Sequence, residues 1–289
     1  MNRGTLSIQT VSERCGINPV TLRAWERRYG LIRPARTERG HRRYSEADVA
    51  RIRRILAWLD RGLPIGQVRA VLDGQTPTAL PGDPWREAGD EGLAALAELN
   101  TRRLEQWFQR LTGDYPLEAV IGQCCDPLRE HLRARPDGAA SRTLLDTFLR
   151  QKLAGRLLAR APSRRERGWL LMAVGDPLPA LTRAVLAGTP VWCLETALPW
   201  SALAAWLAGD RVIGVAWVLG EHPGRRRAEQ LWPLTAAPDR PALCAGPALT
   251  EKLITPPWLR RVVGDRAAFV AALDEHQQRG ERGATGLVS

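Results

Sequence analysis

Residues 7–28 carry the signals for two short helices that are separated by a tight turn. Ser7 is a suitable N-cap for the first helix, and Gly16 supplies the bend that follows it. Asn18 is placed to cap a second helix with Pro19 at its first position, where a missing N–H costs nothing. This layout predicts a helix-turn-helix whose second helix enters the major groove of DNA.

The segment that follows is rich in Arg, Gly and Pro and is unsuited to a helix. Its Arg side chains surround Gly40, which predicts a two-stranded wing with this glycine near the tip. Because a guanidinium forms bidentate hydrogen bonds with phosphate, we expect the wing to hold the DNA backbone. These side chains are Arg33, Arg36, Arg39, Arg42 and Arg43.

Two further helices are predicted after the wing. Ser45 and Asp48 have the spacing of a capping box, which indicates a helix that runs to about Arg61. Pro64 begins a shorter helix that ends near Leu72. The sequence therefore predicts a small N-terminal domain of four helices and a wing.

Positive charge is concentrated in this N-terminal part. Residues 1–75 contain fifteen Arg and seven Asp or Glu, a net charge of +8, which leaves +3 of the total +11 for the rest. A basic surface that neutralises phosphates drives DNA affinity and makes it depend on salt. We therefore expect double-stranded DNA as a partner of the N-terminal part alone.

The chain has no charge-free run of eighteen residues and no apolar signal-peptide core, so we expect a cytoplasmic protein without a membrane partner. The five cysteines are odd in number and scattered, which is typical of reduced thiols.

The order of residues from Thr21 to Val49 resembles the MerR family of bacterial transcription regulators. The shared pattern is T-L-R-x-W-E, then G-L, R, G-H-R-x-Y and finally D-V. The resemblance implies a winged helix-turn-helix over residues 5–74 and a homodimer that reads palindromic promoter sites. It also implies RNA polymerase as a partner at the promoter. The matching residues are Thr21, Arg23, Trp25, Glu26, Gly30, Leu31, Arg33, Gly40, His41, Arg42, Tyr44, Asp48 and Val49.

The second helix and the wing supply the candidate DNA contacts. Thr21 is expected to face the major groove with its Arg neighbours, and Tyr44 is expected to hold a phosphate beside the wing. Trp25 is either a DNA contact or a buried anchor of its helix, and Glu26 is expected to be a structural partner of a nearby Arg. The candidates are Thr21, Arg23, Trp25, Arg27, Arg28, Arg33, His41, Arg42, Arg43 and Tyr44.

Two more domains are predicted after a linker. Residues 75–90 are rich in Pro, Gly and acidic side chains and lack periodicity, which indicates the linker. Leucines at helical spacing predict a helical bundle over residues 91–160. Its helices are expected at residues 91–111, at residues 117–133 and from Ser141, as their N-cap, onwards.

Beyond Pro162 the period of the apolar residues changes, and short apolar runs alternate with helical segments. Such alternation is typical of a doubly wound parallel sheet, here over residues 165–280. The expected fold class is mainly α with α/β: a winged helix-turn-helix, a helical bundle and a flavodoxin-like α/β domain. Strands are predicted at residues 169–174, 191–194, 212–219 and 241–245, and helices at residues 179–187, 200–208, 225–231 and 265–278.

This order of domains resembles the MerR branch whose C-terminal region is similar to cobalamin-binding modules and which includes regulators of curli, biofilm and carotenoid genes. In such modules a histidine in D-x-H-x-x-G after the first strand ligates cobalt. Here the corresponding loop is residues 175–179, and no histidine lies between His131 and His222. We therefore expect no cofactor, and a region that serves dimerisation or senses an unknown small molecule.

Other kinds of site have weaker support. Cys124 and Cys125 are either buried core thiols or a redox or metal sensor, and Asp176 and Glu195 are either loop caps or site residues. The eleven tryptophans either fill the core or line an effector pocket. No catalytic or metal-binding residue is predicted, and the expected function is regulation of transcription without enzymatic activity. The alternatives are a cobalamin- or light-responsive repressor and a DNA-tethered enzyme that uses the α/β domain.

Overall fold

The computed structural model describes residues 6–61, 63–74, 83–220, 240–249, 255–264 and 266–285. The chain divides into two compact units, Met1–Leu145 and Asp146–Ser289. The first unit therefore holds the predicted DNA-binding domain together with most of the predicted bundle, which the sequence pattern had placed in separate domains.

The helix-turn-helix has the predicted caps. Helix α1 (Ile8–Cys15) and helix α2 (Pro19–Arg27) begin after Ser7 and Asn18, whose side-chain oxygens each accept a backbone N–H of the following turn. Gly16 ends α1 with a φ of 65°, in the left-handed region where glycine has no steric penalty. The turn geometry thus follows directly from three residues that were identifiable in the sequence.

The wing and the two helices after it are also as predicted. Strands β1 (Ala35–Arg36) and β2 (Arg42–Arg43) pair antiparallel, with Gly40 between them at a φ of 80°. Helix α3 (Glu46–Asp60) starts with a reciprocal capping box, and helix α4 (Ile65–Leu72) follows it. The prediction of a winged helix-turn-helix is therefore confirmed.

The single helix predicted over residues 91–111 is wrong, because the structure has two helices there. Helix α5 (Pro84–Ala97) and helix α6 (Thr101–Asp114) are separated at Leu99, whose φ of 52° is incompatible with a continuing helix. Asn100 then caps α6 by accepting a hydrogen bond from a backbone N–H. The leucines keep their helical spacing across the break, so the break could not be predicted from this pattern.

The predicted linker is too long, since α5 starts inside it. Asp83 caps this helix, and Pro84 and the buried Trp85 form its first turn. The rest of the predicted linker, residues 75–82, lies outside the described residues.

The next helical stretch is continuous but changes its winding. Helix α7 (Leu117–Val120) passes through a π-helical turn (Ile121–Cys125) into helix α8 (Asp126–Ala134). Helix α9 (Ala139–Leu158) starts two residues before Ser141, which therefore lies in its first turn instead of capping it. In the sequence, the boundary between the two units falls inside α9.

The second unit contains a five-stranded sheet in which every neighbouring pair is parallel. The strand order is β4-β3-β5-β6-β7, the flavodoxin-like order that was expected. The last strand was not predicted, because it consists of two arginines and has no apolar run. The strands are β3 (Gly168–Val174), β4 (Val191–Leu194), β5 (Val212–Leu219), β6 (Ala242–Ala245) and β7 (Arg260–Arg261).

Helices cover both faces of this sheet, as a doubly wound fold requires. Helices α10 (Leu178–Leu186) and α12 (Arg266–Thr285) pack on one face, where Phe269 is fully buried. A 3-10 helix (Trp200–Leu203) that leads into helix α11 (Ala204–Leu207) packs on the other face. The helix predicted over residues 225–231 lies outside the described residues.

The tryptophans of this unit belong to its core. Trp169 and Trp217 are fully buried, one on each face, and Trp192, Trp200 and Trp258 pack against the same cluster as Trp217. The core-filling interpretation therefore accounts for these five side chains. Among the helices that the structure describes, none combines the length and the apolar character that a membrane crossing needs.

Candidate nucleic-acid interface

Helix α2 exposes one stripe of side chains and buries the opposite side. Val20, Arg23 and Arg27 are exposed, and their spacing of three and four residues places them on the same helix face. Leu22 and Trp25 on the other side are fully buried in the core of the first unit. A helix that buries one side this completely can present only the exposed stripe to a DNA groove.

The expectation that Thr21 faces outward is wrong in this structure, because the C-terminal end of α6 covers it. Thr21 is 1% exposed, and its hydroxyl donates a 3.2 Å hydrogen bond to the carbonyl oxygen of Thr112. Trp25 is also buried, and its indole Nε1 donates a 2.8 Å hydrogen bond to the carbonyl oxygen of Asp114. Of the two roles considered for Trp25, the buried anchor describes this placement.

Asp114 makes further contacts with the region that follows α2. Arg28 donates a 2.9 Å hydrogen bond from Nη1 to the Asp114 carboxylate. Burial raises the pKa of Tyr29 to about 12, with a further contribution from the nearby Asp114 carboxylate. The end of α6 thus holds the recognition helix through one carboxylate and two backbone carbonyls.

The recognition helix is also connected to the wing. Glu26 accepts a 3.0 Å hydrogen bond from Nη2 of Arg36 and a second, shorter one from Nε of Arg42. Glu26 is therefore the structural partner of nearby arginines, as expected. Arg42 was assigned to the DNA backbone, but in this structure its charge is already opposed by a carboxylate.

The remaining arginines of this surface have no carboxylate partner among the residues that the structure describes. Within the part of the first unit that the structure describes, Arg23, Arg27, Arg33, Arg39 and Arg43 form no ion pair. Four of them are exposed and Arg43 is half-buried, while His41 is exposed next to the wing tip. These six side chains and Val20 form the surface that we call the reading face.

Tyr44 does not contribute an exposed side chain to this surface. It is fully buried, and its backbone N–H and carbonyl both pair with Leu6 at 2.9 Å. Burial raises the pKa of Tyr44 to about 12, and its hydroxyl has no hydrogen-bond partner among the described residues. The expectation that Tyr44 holds a phosphate does not fit this placement, because its side chain fills the core beneath the wing.

The loop after β3 does not fit cobalamin, the group that the domain order implies. It supplies no imidazole, and the Asp176 carboxylate accepts a 3.0 Å hydrogen bond from the backbone N–H of Leu178. The loop also packs closely against the end of β5, since a Cβ added at Gly220 would lie 2.5 Å from the Asp176 carbonyl oxygen. Asp176 is therefore a loop cap, one of the two roles considered for it.

The other candidate residues lie in an ion pair or in the buried core. Glu195 lies 3.8 Å from Arg150 in an exposed ion pair. Cys124 and Cys125 are buried, and burial raises the pKa of Cys124 to about 12, which keeps it a thiol at neutral pH. No group of three possible metal ligands occurs among the residues described here.

The contacts of Thr112 and Asp114 were not anticipated from the sequence. They lie about ninety residues from the side chains that they hold, and neither belongs to a recognisable motif. Asp114 lies directly before Tyr115-Pro116 in the sequence, and this position alone does not indicate which side chains it contacts.

Comparison with known proteins decides the family. Residues 6–75 match the family described as MerR HTH family regulatory protein. The HTH-type transcriptional regulator MlrA of Escherichia coli K12 is 35% identical over 183 residues, which are 63% of this chain and 73% of MlrA. The chain belongs to the MerR family.

Two further relatives of this MerR protein come from Myxococcus xanthus. The HTH-type transcriptional repressor CarA is 30% identical over 203 residues, which are 61% of this chain and 70% of CarA. The HTH-type transcriptional repressor CarH is 27% identical over 235 residues, which are 66% of this chain and 78% of CarH. These alignments extend far beyond the helix-turn-helix and confirm the branch of the family that was expected.

Proposed function

We propose that this DNA-binding MerR regulator acts as a homodimer on palindromic promoter sites. The observation that carries the proposal is the reading face, where Arg23 and Arg27 of the recognition helix are joined by Arg33, Arg39 and Arg43, and none of these forms an ion pair with a residue that the structure describes. Exposed guanidiniums without a carboxylate partner retain their full capacity for phosphate and base contacts.

The two parts of the reading face have different roles. Arg23 and Arg27 lie on the exposed stripe of α2 and contact base edges in the major groove. Arg33, Arg39 and Arg43, with His41, contact phosphates and hold the helix in register. Of the other predicted contacts, Arg28 and Arg42 are held by Asp114 and Glu26, so they position the helix and the wing instead.

The homodimer follows from the family resemblance and from symmetry. Two recognition helices related by a two-fold axis read two half-sites of opposite orientation, so the operator is an inverted repeat. The second partner is RNA polymerase at the promoter. The protein acts in the cytoplasm, because the DNA lies there.

The α/β region serves dimerisation or senses a small molecule that is not cobalamin. This part of the proposal rests on the absence of an imidazole from the loop after β3 and on the close packing around Gly220. No catalytic role is proposed, and the relatives named above are all transcription regulators or repressors.

The proposal is tested by selecting duplexes from a random-sequence pool with the purified full-length protein. Affinity for the selected duplex is then compared with that for a scrambled duplex of the same composition. We expect a palindromic consensus and at least a thousandfold preference for it, the lower end of specific recognition.

Two variants serve as test and matched control. Arg23→Ala removes a guanidinium from the reading face, whereas Arg102→Ala removes an exposed one from α6. Loss of preference in Arg23→Ala alone supports the proposal. Equal affinity of the parent protein for selected and scrambled duplexes contradicts it.

A further inference from the structure

The reading face contains one apolar side chain. Val20 is 58% exposed and is the second residue of α2, directly after Pro19. Its backbone is held in place, because its N–H donates a 2.8 Å hydrogen bond to the Asn18 side chain. The isopropyl group is therefore presented from the N-terminal turn of the recognition helix, the part of such a helix that contacts base edges.

The neighbours of Val20 make its exposure informative. Arg23 and Arg27 follow it at spacings of three and seven residues on the same face. Burial of that face against the protein's own core is ruled out by these two exposed guanidiniums. A helix start that enters a DNA groove beside Arg23 must therefore bring Val20 into the same groove.

The chemistry of the major groove limits what an isopropyl group can recognise. Donors and acceptors on the base edges offer it nothing, since valine forms no side-chain hydrogen bond. The C5-methyl group of thymine is the apolar feature of the base edges there. A β-branched side chain in a helix has one strongly preferred rotamer, so little side-chain entropy is lost in the contact.

We propose that Val20 determines sequence specificity by packing against a thymine methyl group in each half-site. This inference rests on the proposed function, because it requires α2 to enter the major groove of a specific site. It assigns the recognition of one A·T pair to an apolar contact, separate from the contacts made by Arg23 and Arg27.

The experiment removes the methyl group from the DNA and the isopropyl group from the protein. Each thymine of the selected duplex is replaced singly by deoxyuridine, which lacks only the C5-methyl. At one position per half-site we expect the affinity of the parent protein to fall about fourfold, the effect of losing one buried methyl. Val20→Ala is expected to bind the thymine and uracil duplexes equally well at that position.

The matched control is Val263→Ala, which truncates another valine that is 74% exposed, in the second unit. It is expected to retain the same sensitivity to deoxyuridine as the parent protein. Because Val20 is exposed, its truncation does not disturb the core.

The possible failures are distinguishable. If the parent prefers the selected duplex but no deoxyuridine weakens binding, or if Val20→Ala shows the same loss, the inference is wrong and the proposed function stands. A consensus that lacks A·T pairs in the half-site also overturns it. If the parent prefers no sequence, the proposed function fails and this inference fails with it.

Discussion

The indole Nε1 of Trp25 donates a 2.8 Å hydrogen bond to the backbone carbonyl oxygen of Asp114, 89 positions further along the chain. This bond attaches the recognition helix to the C-terminal end of α6. Thr21 and Arg28 also donate hydrogen bonds to this end of α6. The recognition helix is therefore held by a helix that does not belong to the helix-turn-helix.

Trp25→Phe is expected to lower the free energy of unfolding by about 1–3 kcal/mol, because it leaves the Asp114 carbonyl without its buried donor. Urea unfolding followed by circular dichroism measures the change. The control is Trp206→Phe, at a site that is 52% exposed, where we expect a change below about 0.5 kcal/mol. Equal effects of the two variants would show that this hydrogen bond does not stabilise the unit.

Tyr44→Phe is expected to leave the stability at neutral pH unchanged or raise it, because it removes a buried hydroxyl that has no partner among the described residues. It should also reduce the loss of stability in alkali. Burial raises the pKa of Tyr44 in the folded state to about 12, against an ordinary value of 10.0. The folded state therefore keeps a proton that the unfolded chain releases, so its stability falls as the pH rises from about 10 to about 12.

Unfolding midpoints measured across this pH window test the effect. The parent protein loses stability through Tyr29 as well, whose pKa is also raised to about 12, so Tyr44→Phe should reduce the alkaline loss without abolishing it. An identical pH profile in parent and variant would contradict the buried placement of Tyr44.

Arg23→Ala and Arg39→Ala are expected to weaken DNA binding in different ways. Arg23→Ala should cost about 1–3 kcal/mol on the selected duplex and little on a scrambled one, as expected for a base contact. Arg39→Ala should weaken binding to both duplexes and lower the slope of log affinity against log salt by about 0.9. Fluorescence anisotropy titrations at several salt concentrations separate the two patterns, and reversed patterns would contradict the assigned roles.

Glu26→Gln is expected to strengthen binding to scrambled DNA and to reduce the preference for the selected duplex. The substitution removes the charge that opposes Arg36 and Arg42, and it loosens the connection between α2 and the wing. Competition between the two duplexes measures the preference. An unchanged preference would mean that the wing keeps its position without this carboxylate.

Much of the winged helix-turn-helix was predictable because its sequence signals are local. The Ser7 and Asn18 caps, the left-handed glycines of the turn and wing, and the Ser45 capping box each act within a few residues of their own position. The long apolar strands β3 and β5 were predicted for the same reason, since burial on both faces of a sheet leaves a continuous apolar run.

The features that were missed depend on contacts between distant parts of the chain. Thr21 is polar and adjoins exposed arginines, yet α6 covers it. The sequence near Thr21 does not indicate that α6 packs there. The break at Leu99 was hidden because its side chain continues the apolar spacing while its backbone does not. Strand β7 consists of two arginines and pairs with β6 as a parallel strand, so its sequence contains no apolar run that would indicate a strand.

The most direct test of the account is footprinting of the purified protein across genomic DNA of its source, with and without added cobalamin. We predict a small set of sites, each protected symmetrically about a two-fold axis over two half-sites and each unaffected by cobalamin. Protection without sequence preference would contradict specific recognition by the reading face. Sites that appear or disappear with cobalamin would contradict our conclusion that the loop after β3 does not fit this group.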